Sequence, residues 1–186
     1  CYMIEGDIRE ATSQYLTALD ATSKSGDSEA YLTNCSSLGV AYRRINLPDS
    51  ALYYYGKGLE AAMKSKNYSA VSNLHANIAV MYISFKQLEN AKEHAQEAIT
   101  YALKEEDALD WLQAYYICGS LLVKTGEYDQ AINYLHKAYG IASQQQSPRF
   151  RLKVLSALLP AFQAIAQDDS VRYYLNVCDR FLDELP

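Results

Sequence analysis

The side chains in this sequence that could carry chemistry are its three histidines, one acidic run and four cysteines. His75, His94 and His136 fall on three different expected helices, and no H-E-x-x-H places two rings on one face to hold zinc. His75 shares a sequence column with Cys35, Tyr115 and Leu155, so it reads as a packed ring. Glu105-Glu106-Asp107, with Asp110, is the densest acidic stretch. A calcium loop needs spaced oxygens around a glycine turn, so the stretch reads as a solvated cap at a helix junction. Gly56-Lys57-Gly58 lies inside an expected helix and not in a strand-to-helix loop, so it is no phosphate cradle. No G-x-S-x-G is present. Cys1, Cys35, Cys118 and Cys178 show no C-x-x-C and no metal-ligand spacing. They read as reduced, buried thiols, a usage that favours the cytosol and leaves the periplasm as the alternative. The expectation is a chain without catalytic residues, metal or cofactor. Asn34-Cys35-Ser36 and Asn67-Tyr68-Ser69 fit the glycosylation pattern, but Asn34 is expected in mid-helix.

The elements that position these residues come from a repeat. The chain aligns with itself at a shift of 40 residues. One large column reads Tyr2, Tyr42, Tyr82, Leu122, Phe162; another reads Tyr15, Tyr55, Ala95, Leu135, Leu175. Small columns read Ala11, Ala51, Ala91, Ala131, Val171 and Ala18, Gly58, Ala98, Ala138, Cys178. The pairs Leu38-Gly39, Ile78-Ala79, Cys118-Gly119 and Leu158-Leu159 keep the same register. Each unit reads as two helices. Asp107 to Lys124 carries Trp111, Tyr115, Cys118 and Leu122 at helical spacing, Gly126 stops it, and Tyr128 to Ser143 follows. Where antiparallel helices cross closely, a side chain larger than alanine would force the axes apart, which accounts for the small columns. No unit buries its apolar face alone, so the units must stack.

The composition agrees. Four Pro and eight Gly in 186 residues, with abundant Ala, Leu and Glu, favour helix throughout. Hydrophobic residues at 49% exclude a disordered chain. A net charge of −5 argues against a sequence-independent grip on nucleic acid. No stretch of 18 apolar residues is long enough to span a membrane, and Cys1 to Asp7 does not read as a signal peptide.

Tyr115 to Ala138 holds an aromatic, Cys118-Gly119, the turn Gly126-Glu127-Tyr128-Asp129-Gln130-Ala131, then Tyr134-Leu135 and Ala138. This resembles the tetratricopeptide repeat family, and Cys35 to Gly58 and His75 to Ala98 match it too, the first with Asn46-Leu47-Pro48 in place of the glycine turn. Leu155 to Leu185 is a weaker match, with Leu159 at the small position and Pro160 inside a helix. The resemblance implies an all-α, right-handed αα superhelix of about nine helices: a half repeat at 1–27, keeping Gly6-Asp7, then repeats at about 28–67, 68–107, 108–147 and 148–186. The period exceeds the family's usual unit of about 34 residues, lengthening the helices by roughly 9 Å per unit. Such long units are similar to helical sensor domains of bacterial regulators and to long-repeat adaptors. The apolar ends imply a piece of a longer protein, or ends that pair with another copy; at the C-terminal end these are Tyr174, Leu175, Cys178, Phe181 and Leu182.

In this family the first helix of each unit lines the concave face, and non-catalytic protein or peptide binding is the implied function. The residues placed there are Asn73, Asn77, Val80, Gln113, Tyr116 and Ser120, with Arg43, Arg44 and Lys124 at a basic edge. The amides suit the backbone of an extended peptide, Tyr116 can stack, and the cations suit a carboxylate. The column Tyr54, His94, Tyr134, Tyr174 reads as packing between units on the convex side. The alternative function is a structural or oligomerisation scaffold joined through the end helices.

Overall fold

The structure is a computed structural model that describes residues 2–166, 169, 171 and 173–177, with side chains from residue 8 onward. Every regular element among the described residues is an α-helix. These are α1 (Tyr2–Ser25), α2 (Ser28–Arg44), α3 (Pro48–Ser65), α4 (Tyr68–Ser84), α5 (Leu88–Ala102), α6 (Ala108–Thr125), α7 (Tyr128–Gln144) and α8 (Pro148–Ala164). Residues 169, 171 and 173–177 are helical as well. Cys1, Cys178, Phe181 and Leu182, which entered the sequence reading, lie outside the described residues, as does the Tyr2 side chain.

The turns follow from the same register. Residues in the left-handed region recur every 20 positions, at Gly26, Asn46, Lys66, Lys86, Gly126, Gln146 and Ala166. Gly26 and Gly126 adopt this conformation without a steric cost, whereas the other five carry a Cβ into it. The chain leaves position 106 out of the series. There α5 ends at Ala102, and the Trp111 Nε1 donates to the carbonyls of Ala102 (2.8 Å) and Glu105 (3.0 Å), so a longer loop replaces the tight turn. Helix starts are capped by side chains where the sequence supplies them. Asp27 accepts from the Ala30 N–H, Asn67 from the Ala70 N–H and Asp107 from the Leu109 N–H. Pro48 and Pro148 open α3 and α8 at positions that need no N–H. α1 runs unbroken through Gly6-Asp7, where each later unit turns.

The two helices of a unit cross at the small residues. A Cβ on Gly39 would overlap the ring of Tyr55, which is wholly buried. A Cβ on Gly119 would sit 2.6 Å from Leu135 Cγ. Ala51, Ala91, Ala131, Ala95, Ala98 and Ala138 are all at 0% exposure, so the small columns are the contact lines of the pairs. The stack also has a direction of curvature. First helices touch across units, α2 to α4, α4 to α6 and α6 to α8, while α3, α5 and α7 do not touch one another. A stack closed on one side and open on the other bends towards the closed side, so α2, α4, α6 and α8 line its inner face.

Candidate functional site

The inner face is built from polar pairs that join neighbouring first helices. Asn73 on α4 donates through Nδ2 to Asp110 Oδ1 on α6 at 2.8 Å and to the Ser69 carbonyl at 3.1 Å. Asn77 donates through Nδ2 to Ser36 Oγ on α2 at 3.3 Å. An ionised carboxylate can only accept, which fixes the Asn73 amide with its nitrogen towards Asp110 and its carbonyl turned away. Asn73 therefore has its donors spent and its acceptor left over. A cleft of about 250 Å³ lies between α2 and α4, lined by Leu32, Thr33, Ser36, Ser37, Asn73 and others.

Asp110 corrects the reading of the acidic run. Asp107 is the expected cap, but Asp110 is buried to 6% exposure, and its Oδ2 is shielded from solvent without a hydrogen-bond partner. Its column mates Ala30, Ala70 and Phe150 gave no hint of this, because the partner Asn73 sits 37 residues away on another helix.

The remaining residues expected on this face divide. Gln113 and Tyr116 are half-buried on α6, and Lys153 Nζ from α8 lies 4.5 Å from the centre of the Tyr116 ring, a cation–π contact. Val80 packs against the central apolar cluster. Ser120 Oγ is shielded and has no hydrogen-bond partner. Lys124 and Arg44 are exposed at the C-terminal ends of their helices. Arg43 is half-buried and lies beside the phenol of Tyr55, whose ionisation burial suppresses and the nearby guanidinium favours.

The aromatic column stacks within units and, at Tyr174, also packs between them as the sequence suggested, against His136 and Tyr139 of the preceding unit. Tyr54 stacks on Tyr42 at 5.3 Å, His94 on Tyr82 at 5.6 Å, Tyr134 on Tyr115 at 6.0 Å and Tyr174 on Phe162 at 5.4 Å. His75 is packed, as expected, and its partner is His94: the two Nδ1 atoms are 2.9 Å apart. Burial first, and His94 second, press the His75 pKa down to about 4. Burial lowers the His94 pKa too, against the pull of Glu93 and Glu97. Cys35 and Cys118 are free and buried, and burial pushes the Cys118 thiol up to about 11, far from a reactive thiolate. No group of three or more metal-ligating side chains occurs among the described residues. No helix among them is long and apolar enough to cross a membrane.

The comparisons with known proteins follow this geometry. The tetratricopeptide repeat family model matches residues 72–105 and 112–145, two segments one 40-residue period apart. No curated protein sequence matches the chain. Among solved structures, BtubC (BKLC) from P. vanneervenii superposes with a TM-score of 0.83 at 19% identity, over 98% of this chain and 76% of that one. A Podosopora anserina protein described by its kinesin light chain, nearly identical TPR-like repeats gives 0.73 at 17% identity, over 98% and 90%. MamA gives 0.68 at 19% identity, over 98% and 92%. Two segments of the chain thus match tetratricopeptide repeats, and its fold is that of tetratricopeptide-like α solenoids. Repeats of this kind support a protein-interaction or scaffold module, and no catalytic family is indicated.

Proposed function

We propose that this chain is a non-catalytic sensor or adaptor module that binds an extended protein segment along the inner face of α2, α4, α6 and α8. The observation that carries the reading is the Asn73–Asp110 pair. It spends the amide donors inward and leaves Asn73 Oδ1 as an acceptor beside the α2–α4 cleft. An acceptor in that place suits the backbone N–H groups of an extended peptide. Gln113 and Tyr116 continue the face on α6, with Tyr116 offering a ring and a hydroxyl. Arg44 and Lys124 supply positive charge at the far edge for a carboxylate.

The test compares the chain with its Asn77→Ala, Tyr116→Ala double variant in capture from native lysate read by mass spectrometry. A partner held by the first and lost by the folded variant supports groove binding. Identical capture by both, or none by either, removes the reading.

A further inference from the structure

First helices meet at three boundaries on the inner face, α2–α4, α4–α6 and α6–α8, and the 40-residue register compares them position by position. At α4–α6, Asn73 and Asp110 bridge the boundary, with the Asn73 carboxamide Nδ2 2.8 Å from Asp110 Oδ1. At α6–α8, Tyr116 and Phe150 hold Lys153, whose Nζ lies 4.5 Å and 5.5 Å from the two ring centres. At α2–α4 the places of Asn73 and Asp110 are taken by Thr33 and Ala70, and those of Tyr116 and Phe150 by Ser36 and Ala70. These shorter side chains leave the cleft of about 250 Å³ between Leu32, Thr33, Ser36, Ser37, Asn73 and Leu74.

The opening comes from side-chain size and not from a missing neighbour. α2 touches α4 but not α6, so in this register the first helix before a boundary does not reach over it. The volume is below the about 300–1,000 Å³ of small-molecule pockets and suits one side chain. Leu32 and Leu74 are buried and give the cleft apolar walls. Its polar atoms have fixed roles. Thr33 Oγ1 gives its proton to the Glu29 carbonyl at 3.0 Å and can otherwise only accept. Nδ2 of Asn73 is spent on Asp110 and the Ser69 carbonyl, so Oδ1 is left to accept. Ser36 Oγ accepts from Asn77 at 3.3 Å, which leaves its O–H to donate, and Ser37 adds a second hydroxyl.

We propose that the α2–α4 cleft selects a carboxamide side chain, Gln or Asn, from the extended segment bound along the inner face. A primary amide brings two N–H donors for Asn73 Oδ1 and Thr33 Oγ1 and one carbonyl for the serine hydroxyls. The next boundary holds the same group in the same place, where the Asn73 carboxamide stands one period on from Thr33. A carboxylate would meet two acceptors, and an ammonium would be desolvated with no charged group in the lining. Asn73 Oδ1 has two lone pairs, so it can also take a backbone N–H of the segment. The seat serves the segment that the inner face is proposed to bind and rests on that reading.

The probe is an immobilised library of random heptapeptides with blocked termini, screened against the whole chain and against its Asn77→Ala, Tyr116→Ala variant. Among the retained peptides one position should favour Gln or Asn over Glu, Asp and Lys by at least about tenfold. Thr33→Asn with Ala70→Asp rebuilds the α4–α6 side chains in the cleft and fills it. That variant should keep its helical circular dichroism and still retain peptides, but without the Gln or Asn preference. Ser37→Ala removes one donor without filling space and should lower the preference about threefold or more; it decides the matter where the filled variant does not fold. Peptides retained without a Gln or Asn preference, or a preference that either folded variant leaves intact, overturn the proposal while the inner-face reading stands. Equal retention by the chain and by the Asn77→Ala, Tyr116→Ala variant removes that reading and the carboxamide seat with it.

Discussion

Nδ1 of His75 lies 2.9 Å from Nδ1 of His94, across the crossing of α4 and α5. One ring must donate and the other accept, so the pair is satisfied with both rings neutral. Tyr101 stacks on His75 and Tyr82 on His94; Lys104 sits over Tyr101, while Glu93 and Glu97 act on His94 from its own helix. The His75 pKa is depressed to about 4 in the folded state. The unfolded chain therefore binds more protons than the folded chain between pH 6.5 and 4. The stability held by the pair is complete above about pH 6.5 and is lost as the pH falls towards 4. The expected loss is on the order of 2 kcal/mol, measured by urea unfolding at pH 7 and pH 4.5.

Forty residues on, the same two positions hold Tyr115 and Tyr134, stacked at 6.0 Å. Replacing His75 and His94 together by tyrosine transplants that pair. The double variant should fold and keep its pH 7 stability to within about 1 kcal/mol. Its acid-induced loss should shrink by most of the histidine contribution. An unchanged pH profile in the variant would show that other groups carry the acid sensitivity.

The glycines at the helix crossings should behave unlike those on the open face. Gly39→Ala pushes a methyl into Tyr55, which has no exposed direction in which to move, and Gly119→Ala pushes one into Leu135. Each should cost about 1–3 kcal/mol. Gly140 in α7 is exposed, and a Cβ there meets nothing within 4 Å. Gly140→Ala should instead stabilise by about 0.5–1 kcal/mol, because alanine has less backbone freedom to lose. Thermal unfolding of the three single variants gives the comparison directly.

The turns allow a paired test of backbone strain. Lys86 has φ of 59° and Gly126 has φ of 83°, at equivalent positions one period apart. Lys86→Gly should gain up to about 1 kcal/mol by relieving a left-handed residue that carries a Cβ. Gly126→Ala should lose about 1 kcal/mol for the opposite reason. Chemical denaturation midpoints that shift with unchanged slopes would show both as changes in stability and not in the surface exposed on unfolding.

What the sequence made legible was whatever the crossing of two helices dictates by volume. Gly39, Ala79 and Gly119, and Ala51, Ala91 and Ala131, recur because close packing leaves room for only a small side chain at each place, and a single sequence shows that as columns. The turns were half legible. Gly26 and Gly126 signal themselves, but Lys66, Lys86 and Gln146 adopt the same left-handed φ because the flanking helices impose it. Long-range pairs left no periodic trace. His75 and His94 are 19 residues apart and Asn73 and Asp110 are 37 apart, and neither spacing repeats as the same chemistry in another unit. The two arginines, adjacent in sequence, differ in surroundings that no column shows: Arg43 lies beside Tyr55 and Arg44 is exposed.

The Asn73–Asp110 bond should couple the second and third units energetically. Asp110 is nearly out of solvent, and one of its oxygens has Asn73 as its hydrogen-bond donor while the other has none. Removing the amide leaves a buried carboxylate without a partner, whereas removing the carboxylate leaves only a neutral donor that is half-exposed. Asn73→Ala should therefore cost more than Asp110→Ala, about 2–3 against 1–2 kcal/mol. Asp110→Asn keeps the shape and removes the charge, so it should recover part of the loss. The double variant should cost less than the sum of the singles, giving a coupling energy of about 1 kcal/mol by a double-mutant cycle in urea. Strict additivity would show that α4 and α6 are held by their apolar contacts alone, with the pair left to present Asn73 Oδ1 on the inner face.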